Sequence, residues 1–496
     1  MKRARELFKP YFTSGLIVLL MAIANHAVSS GTPKFVYVTN SGGSSVSAYT
    51  INSTTGALSM VGGSPFPTGS VPLGVVVDPS GKFTYVANSG GSSVSAYAIN
   101  STTGALSPVG GSPFAAGSRP GAVAVDPSGR FVYVANFGSS NVSAYTFNNT
   151  TGALGPVGGS PFPTGFMPIS VAVDASGRFV YVANLGSSSV SAYTINSITG
   201  ALSPIGGSPF AAATNPYDVA VDPSGKFVYV VNNISNNVSA YTINSATGAL
   251  RPVSGSPFST GSAPISVAVD PSGKFAYVVN NNSNSVSAYT INSATGALSP
   301  VSGSPFPTGS APISVAVDPS GKFAYVANNN SNSVSAYTIN SATGALSPVS
   351  GSPFATGHIP LGVTIAGQSP VPFAAFMVEG DIALAAPGKF AVNGSFTLGA
   401  GSNGINPSTE GVVLQVGNVF RTIPAGSFIS HPAQPNGRAS FTFQSETDSL
   451  DVRITQLDGG TFQLQAEGEG ASLTRSGNPA TVSLTIGDDG GSALLR

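Results

Sequence analysis

The stretch ISVAVDPSGKFAYVVNNNSNSVSAYTINSATGALSPV, residues 265–301, decides the fold of this chain. It contains four short apolar or β-branched runs, at residues 265–269, 275–280, 286–291 and 297–301. Valine, tyrosine and phenylalanine favour pleated strands. The Asp-Pro-Ser-Gly and Asn-Ser-Ala-Thr-Gly segments between the runs favour turns, because proline presets φ and glycine tolerates positive φ. The stretch therefore predicts four consecutive short strands.

The same pattern recurs along the chain at a constant period. A Tyr-Val-x-Asn tetrad begins every 48 residues, at Tyr37, Tyr85, Tyr133, Tyr181, Tyr229, Tyr277 and Tyr325, and each tetrad is followed by Val-Ser-Ala-Tyr. Four strands in a repeat of this length are typical of a β-propeller blade rather than of a helical solenoid. Seven tetrads predict seven blades.

The two ends of the repeat region predict how the ring closes. The first repeat lacks its Val-Ala-Val strand and begins at Phe35, whereas an extra strand-like run, Leu-Gly-Val-Thr-Ile at residues 361–365, follows the seventh repeat. We expect these two runs to complete one blade together, which leaves no free sheet edge.

The tetrads, the Asp-Pro-Ser-Gly-Lys turns and the Thr-Gly-Ala-Leu-Ser-Pro segments resemble the YVTN-repeat β-propeller proteins over roughly residues 33–367. This resemblance implies an exported or cell-surface propeller. It also implies a fold similar to the lactonase-type propellers, which include 6-phosphogluconolactonases and some muconate-lactonising enzymes. One fold hosts many activities, so the resemblance alone fixes no chemistry.

Composition excludes several classes of function. The formal net charge is zero and only 8% of residues are charged, which argues against a nucleic-acid partner. The absence of cysteine excludes disulfides, thiolate nucleophiles and cysteine-based metal sites. No sequence motif indicates a cofactor or a metal site. A protein or a glycan bound at a propeller face is the partner that we expect.

The N-terminus predicts export. Lys2, Arg3, Arg5 and Lys9 precede an apolar run at residues 15–24, and mostly small residues follow through Ser30. This order is typical of a secretory signal peptide, and the run is short for a membrane span. We expect cleavage after Ala24 or Ala27, an extracytoplasmic location and no stable membrane span in the mature protein.

Few residues of the propeller suggest chemistry. Six of its aspartates recur in the turn Asp-Pro/Ala-Ser-Gly, where we expect each to bind backbone N–H groups of its own turn. Asp218, Arg119 and His358 depart from the repeat near the start of an innermost strand, at the channel end where propellers usually bind ligands. Asp218 replaces a serine and is expected to face the channel mouth. These three residues are weak catalytic candidates, since repeat drift in exposed loops explains them equally well.

Two classes of function remain open. Residues 259–306 and 307–354 differ at only two positions, and near-identical blades favour a non-catalytic surface, scaffolding or ligand-binding role over an asymmetric active site. The alternative is a lactonase-like hydrolase of a sugar or small acidic lactone, which needs a base or a metal to activate water and a cation to hold an acidic substrate. We favour the non-catalytic role from sequence alone and expect no saturable lactone hydrolysis. Among acids, Asp218 is the hydrolytic candidate.

The C-terminal part has a different pattern. Residues 389–398, 440–444, 450–454 and 481–486 are strand-like, and glycine-rich or aspartate-rich turns separate them. We assign residues 1–30 to a signal peptide, 31–367 to the propeller, 368–373 to a linker and 374–496 to a β-sandwich-like domain of about eight strands. Asp488 and Asp489 are interpreted as a hairpin turn rather than a calcium site. The chain is thus predicted to be all-β.

Overall fold

The computed structural model describes residues 33–367 and eleven segments beyond them: 371–372, 375–379, 389–397, 412–416, 419–423, 428–431, 440–444, 451–456, 461–469, 481–486 and 489–494. Contacts divide the chain into two compact units, one containing Pro33–Gly367 and the other containing Gln368–Arg496. The signal peptide lies outside the described residues and stays a prediction. Within the described residues, no helix is long and apolar enough to cross a membrane.

The first unit is a β-propeller of seven blades, as the repeats predict. In each blade an innermost, a second, a third and an outermost strand follow one another in antiparallel order. From blade 1 to blade 7, the innermost strands are Pro360–Gly367, Pro72–Val77, Pro120–Val125, Pro168–Val173, Pro216–Val221, Pro264–Val269 and Pro312–Val317. The second strands are Pro33–Asn40, Phe83–Asn88, Phe131–Asn136, Phe179–Asn184, Phe227–Asn232, Phe275–Asn280 and Phe323–Asn328.

In the outer half of each blade the third strand is long and mostly buried, whereas the outermost strand has only three residues and is largely exposed. The third strands are Ser45–Ile51, Ser93–Ile99, Asn141–Phe147, Ser189–Ile195, Asn237–Ile243, Ser285–Ile291 and Ser333–Ile339. The outermost strands are Leu58–Met60, Leu106–Pro108, Leu154–Pro156, Leu202–Pro204, Leu250–Pro252, Leu298–Pro300 and Leu346–Pro348. A two-residue strand also pairs with the start of each third strand, at Phe66–Pro67, Phe114–Ala115, Phe162–Pro163, Phe210–Ala211, Phe258–Ser259, Phe306–Pro307 and Phe354–Ala355. Short 3-10 helices lie at Ser41–Gly43 and Leu185–Ser187.

The ring closes as predicted. The strand Pro33–Asn40 pairs with Pro360–Gly367, so the two ends of the repeat region form blade 1 together. The Tyr325 hydroxyl of blade 7 donates a hydrogen bond of 2.9 Å to the Gly56 carbonyl of blade 1. The last blade is thus joined to the first by the same contact that joins its predecessors.

The tetrad is constant because both of its polar residues hold blades in place. Every tetrad tyrosine is completely buried, and its hydroxyl donates to a glycine carbonyl in the next blade, as Tyr277 does to Gly344 at 3.0 Å. Every tetrad asparagine donates within its own blade, as Asn280 does to Ser287 at 2.9 Å. Burial of the tyrosines without a counter-charge raises the pKa of the phenol at Tyr37 far above its usual range. These hydroxyls stay protonated and serve as structural donors.

The repeated aspartates close their own turns, as expected. Asp78 accepts the backbone N–H of Phe83 at 2.7 Å and that of Ser80 at 3.0 Å. Where the basic residue of the turn is arginine, its guanidinium contacts a serine and a phenylalanine: Arg178 donates to Ser176 at 3.0 Å and stacks 4.9 Å from the centre of the Phe179 ring. The aspartate series is structural.

The second unit contains two sheets, in agreement with a sandwich-like domain. One sheet has the order Val371–Pro372, Asp489–Leu494, Thr481–Ile486, Val412–Val416 and Val419–Ile423. The other has the order Ala375–Glu379, Lys389–Thr397, Thr461–Glu469, Asp451–Gln456, Ser440–Gln444 and Ile429–His431. Eleven strands are thus described where about eight were predicted. Thr481–Ile486 and Asp489–Leu494 pair antiparallel, as a hairpin requires, while Asp488 lies outside the described residues.

Candidate functional site

One end of the propeller carries Arg119 and His358, two of the residues that depart from the repeat. At this end, which we call the top face, the innermost strands begin and the hairpins join the second strands to the third. The start of each innermost strand pairs with the tetrad asparagine, as Pro216 does with Asn232. We call the two residues before each starting proline the rim: Ser70 and Val71, Ser118 and Arg119, Phe166 and Met167, Thr214 and Asn215, Ser262 and Ala263, Ser310 and Ala311, His358 and Ile359.

The rim backbone places its second residue in an uncommon conformation. In all seven blades this residue has a positive φ, from 50° at Val71 to 66° at Asn215. A β-branched residue is strained there, so Val71 and Ile359 are retained at an energetic cost of about 1–3 kcal/mol each. The second rim residue therefore has the same backbone conformation in every blade, whereas the rim side chains vary from blade to blade.

Beneath the rim, buried apolar side chains lie at the starts of the innermost strands. The residue after each starting proline belongs to one continuous apolar cluster in six blades: Leu73, Ile169, Tyr217, Ile265, Ile313 and Leu361. We call these six residues the plug, and none of them is more than 6% exposed. In blade 3 the position is Gly121, and Phe137 of the same blade is buried in the same cluster.

Asp218 lies one residue beyond the plug and is completely buried. The expectation that its carboxylate faces the channel mouth is wrong, because the side chain has no exposed surface and its carboxyl oxygens bind groups of the innermost strands. The structure instead places the carboxylate between three innermost strands. Its partners are the hydroxyl of Ser170 at 2.7 Å and the backbone N–H groups of Val219 at 2.9 Å and Val267 at 3.0 Å.

Burial also sets the protonation of this carboxyl. Desolvation raises the pKa of Asp218 to about 7, although the surrounding donors, which include the Ser266 hydroxyl, act in the opposite direction. Among the described neighbours, no charged side chain contributes to this shift. Because water and substrate do not reach the carboxyl, it has no role as a catalytic base.

Arg119 is half-buried at the rim of blade 3. Its guanidinium carbon lies 5.2 Å from the centre of the Phe137 ring, and its backbone carbonyl accepts the Phe137 N–H at 3.0 Å. A guanidinium above an aromatic face is held in place while its N–H groups remain available to an anion. Arg119 is therefore an oriented cation on the top face.

His358 is exposed at the rim of blade 1. Its backbone carbonyl accepts the Gly42 N–H at 3.1 Å, and its Nδ1 lies only 2.3 Å from where a Cβ on residue 42 would be. Glycine at position 42 thus permits the imidazole to pack against the hairpin of its own blade. The packing therefore fixes the orientation of the imidazole.

The three candidates do not form one cluster. Arg119 and His358 both belong to the rim, in blades 3 and 1 with Val71 of blade 2 between them, whereas Asp218 is buried in blade 5. These two are also the only ionisable residues in the rim and hairpin segments of the described propeller. Among the residues that the structure describes, no group of histidines and carboxylates is placed to hold a metal ion.

The charged residues were singled out in the sequence, but the apolar residues of the top face were missed. Phe166, Ile234 and Val71 are 54%, 49% and 41% exposed. Met167 and Leu185 pack against the cluster that includes the plug. Comparison of the same position across repeats would have revealed them, because Phe166 stands where four other blades have serine. The top face thus carries exposed apolar side chains in blades 2, 4 and 5, whereas blades 6 and 7 are rich in asparagine and serine.

Comparison with protein families identifies one match. The model described as "Lactonase, 7-bladed beta-propeller" matches residues 26–118, 162–264 and 254–358, which together make up more than half of the chain. No curated protein matches the sequence.

Solved structures with the same fold cover about two thirds of this chain. The periplasmic gluconolactonase of Pseudomonas aeruginosa has a TM-score of 0.58 and 19% identity, with coverage of 68% of this chain and 99% of that one. A provisionally assigned 6-phosphogluconolactonase of Bacteroides uniformis has a TM-score of 0.59 and 20% identity, with coverage of 67% and 99%. A Lactobacillus plantarum protein has a TM-score of 0.58 and 19% identity, with coverage of 67% and 99%. At these identities the likeness establishes the fold.

Proposed function

Because this chain belongs to the lactonase family of seven-bladed β-propellers, we propose that it hydrolyses a small acidic lactone on the top face of the propeller. This proposal reverses the preference drawn from the sequence, where near-identity of two blades favoured a non-catalytic role. That near-identity is confined to blades 6 and 7, whereas the rim residues of blades 1 to 5 differ. The asymmetry that an active site needs is therefore present.

Arg119 binds the substrate anion in this proposal. Its guanidinium is the one permanent cation of the described rim and hairpin segments, and those segments contain no carboxylate to compete for it. A guanidinium binds a carboxylate through two parallel hydrogen bonds, which fixes orientation as well as position. The lactone ring would then lie over the plug.

His358 is the proposed general base. It removes a proton from water as the water oxygen attacks the lactone carbonyl carbon, and the resulting imidazolium returns that proton to the ring oxygen as the carbon–oxygen bond breaks. The product is a hydroxy acid, and no oxidant or second substrate is consumed. The observation that supports this assignment most directly is that His358 is the one exposed proton-transfer group on the described rim.

The test is a turnover assay with purified protein and a panel of sugar-derived, alkyl and aryl lactones. The repeats supply matched substitutions, because serine occupies the His358 position in blade 2 and alanine occupies the Arg119 position in blades 6 and 7. We expect saturable hydrolysis that falls steeply in His358→Ser, and a raised KM in Arg119→Ala. Absence of saturable hydrolysis across the panel would refute the proposal.

One observation favours a second candidate, a propeller that binds such ligands without turning them over. The rim and hairpin segments of the described propeller contain no carboxylate beside His358, so the imidazole lacks the acidic partner that usually orients a catalytic base. Tight binding of lactones with no turnover would support this alternative. In either case we propose an extracytoplasmic location, which rests on the N-terminal charge and apolar run and on the resemblance to YVTN-repeat proteins.

A further inference from the structure

We infer that the lactone bound at the top face carries a single negative charge and an apolar alkyl or aryl substituent, and is not a phosphorylated sugar lactone. That the ligand contains a lactone ring rests on the proposed function. Its charge and its substituent are inferred from the chemistry of the rim.

The charge follows from the rim. In its described loops, Arg119 is the only permanent cation. One guanidinium matches one carboxylate, whereas a phosphate group carries nearly two negative charges and is usually held by several cationic or N–H donors. The half-buried position of Arg119 over Phe137 also removes water from one face of the guanidinium and holds it in one orientation.

The apolar substituent follows from the neighbours of Arg119 in blades 4 and 5. Phe166 and Ile234 remain about half exposed. The Phe166 ring packs against Gly186 of its own blade, and Met167 and Leu185 pack against the plug cluster beneath. Phe166 and Met167 both lie against Gly186, and the Leu185 N–H donates to the Met167 carbonyl at 3.0 Å. We call these three residues, together with Ile234 of the next blade, the apolar shelf. An alkyl or aryl group lying on this shelf would remove apolar surface from water.

The fold itself does not require these apolar side chains. Serine replaces Phe166 at the equivalent position of blades 2, 3, 6 and 7, and glycine or asparagine replaces Ile234 in every other blade. The backbone nevertheless has the same conformation, since the second rim residue has a positive φ in all seven blades. Adjacent exposed apolar side chains that a repeat does not need for folding indicate a binding surface, whereas a single one such as Ile198 does not.

The apolar shelf also differs from the polar rim and hairpin residues of blades 6 and 7, which suit the hydroxyl groups of a sugar. Blades 6 and 7 present Asn282, Asn284, Asn330 and Asn332, whose amides suit hydroxyl groups. Arg119 is not beside these amides but beside blade 4, where the shelf begins. A ligand anchored by its carboxylate at Arg119 therefore meets apolar side chains first.

The test is equilibrium binding by calorimetry, using full-length protein and three probes that it does not hydrolyse. The probes are a γ-lactam carboxylate with a hexyl chain, the same lactam carboxylate without the chain, and 6-phosphogluconate. Phe166→Ser is the test variant, because serine occurs at this position in four other blades. Ile198→Ala is the matched control, because Ile198 is 86% exposed in a turn between a third and an outermost strand, at the opposite end of the propeller.

We expect the hexyl lactam to bind most tightly, with an affinity about tenfold lower in Phe166→Ser and unchanged in Ile198→Ala. Equal binding of the hexyl and unsubstituted lactams, tightest binding of 6-phosphogluconate, or equal loss in the two variants would overturn the inference. The turnover assay and the binding experiment can fail separately, so the two outcomes are distinguishable. A hexyl preference that depends on Phe166 supports the ligand class even without hydrolysis, and hydrolysis without chain preference supports only the proposed function.

Discussion

The hydroxyl of Ser170 in blade 4 donates a 2.7 Å hydrogen bond to the carboxyl of Asp218 in blade 5. The other carboxyl oxygen accepts the N–H of Val267 in blade 6 at 3.0 Å. In neighbouring blades a serine makes the corresponding contact, as Ser314 does with the Val363 N–H at 2.9 Å. Asp218 is therefore one of several side chains at this position that hydrogen-bond to the next innermost strand. This structural role does not require an acidic side chain, since serine fulfils it in other blades.

The first prediction concerns pH and stability. The pKa of Asp218 is about 7 when folded, against 3.8 for an exposed aspartate. Between these values the folded protein keeps a proton that the unfolded chain releases, so stability should fall as pH rises from about 4 to about 7. The fall has an upper bound of about 4 kcal/mol, from three pKa units at 1.36 kcal/mol each. Urea unfolding at pH 5 and pH 8 measures the part of this fall above pH 5, which is at most about 3 kcal/mol.

The matched variant for this prediction is Asp218→Ser, since serine at this position accepts the equivalent N–H in three other blades. We expect the variant to fold and to lose most of the stability difference between pH 5 and pH 8. An unchanged difference in the variant would show that other groups cause it.

The second prediction concerns Thr39, which joins blades 1 and 2. Its hydroxyl accepts the buried Gly362 N–H at 2.8 Å and donates to the Leu73 carbonyl at 2.6 Å. Thr39→Ala leaves both groups unpaired, so we expect a loss of about 1–3 kcal/mol in the free energy of unfolding. Thr50→Ala, which removes an exposed hydroxyl in the same blade, should change it by less than about 0.5 kcal/mol. Equal effects of the two substitutions would contradict the assigned role of Thr39.

The fold followed from the sequence because its determinants are local and repeated. The 48-residue period, the β-branched runs and the incomplete first repeat predicted the blades and the closure at Phe35 without knowledge of any contact between distant residues. The site did not follow. The burial of Asp218 depends on how neighbouring innermost strands pack together. The apolar residues of the shelf can be found by comparing equivalent positions of the repeats, but their exposure is known only from the structure.

The third prediction concerns export. The basic start and the apolar run at residues 15–24 should direct secretion, with the mature protein beginning between Asn25 and Gly31. N-terminal sequencing of protein isolated from its host gives the cleavage position directly. Recovery of the uncleaved chain from the cytosol would contradict this prediction.

The most direct test of the proposed activity is kcat/KM for an alkyl lactone carboxylate, measured for the wild-type protein and for His358→Ser. General acid–base catalysis contributes about 10²–10⁴-fold, so the variant should lose activity by a factor in that range while Asp218→Ser retains it. Both variants should show the circular dichroism of the wild-type propeller. Wild-type turnover that is indistinguishable from buffer, or that survives in His358→Ser, would contradict hydrolysis at the rim.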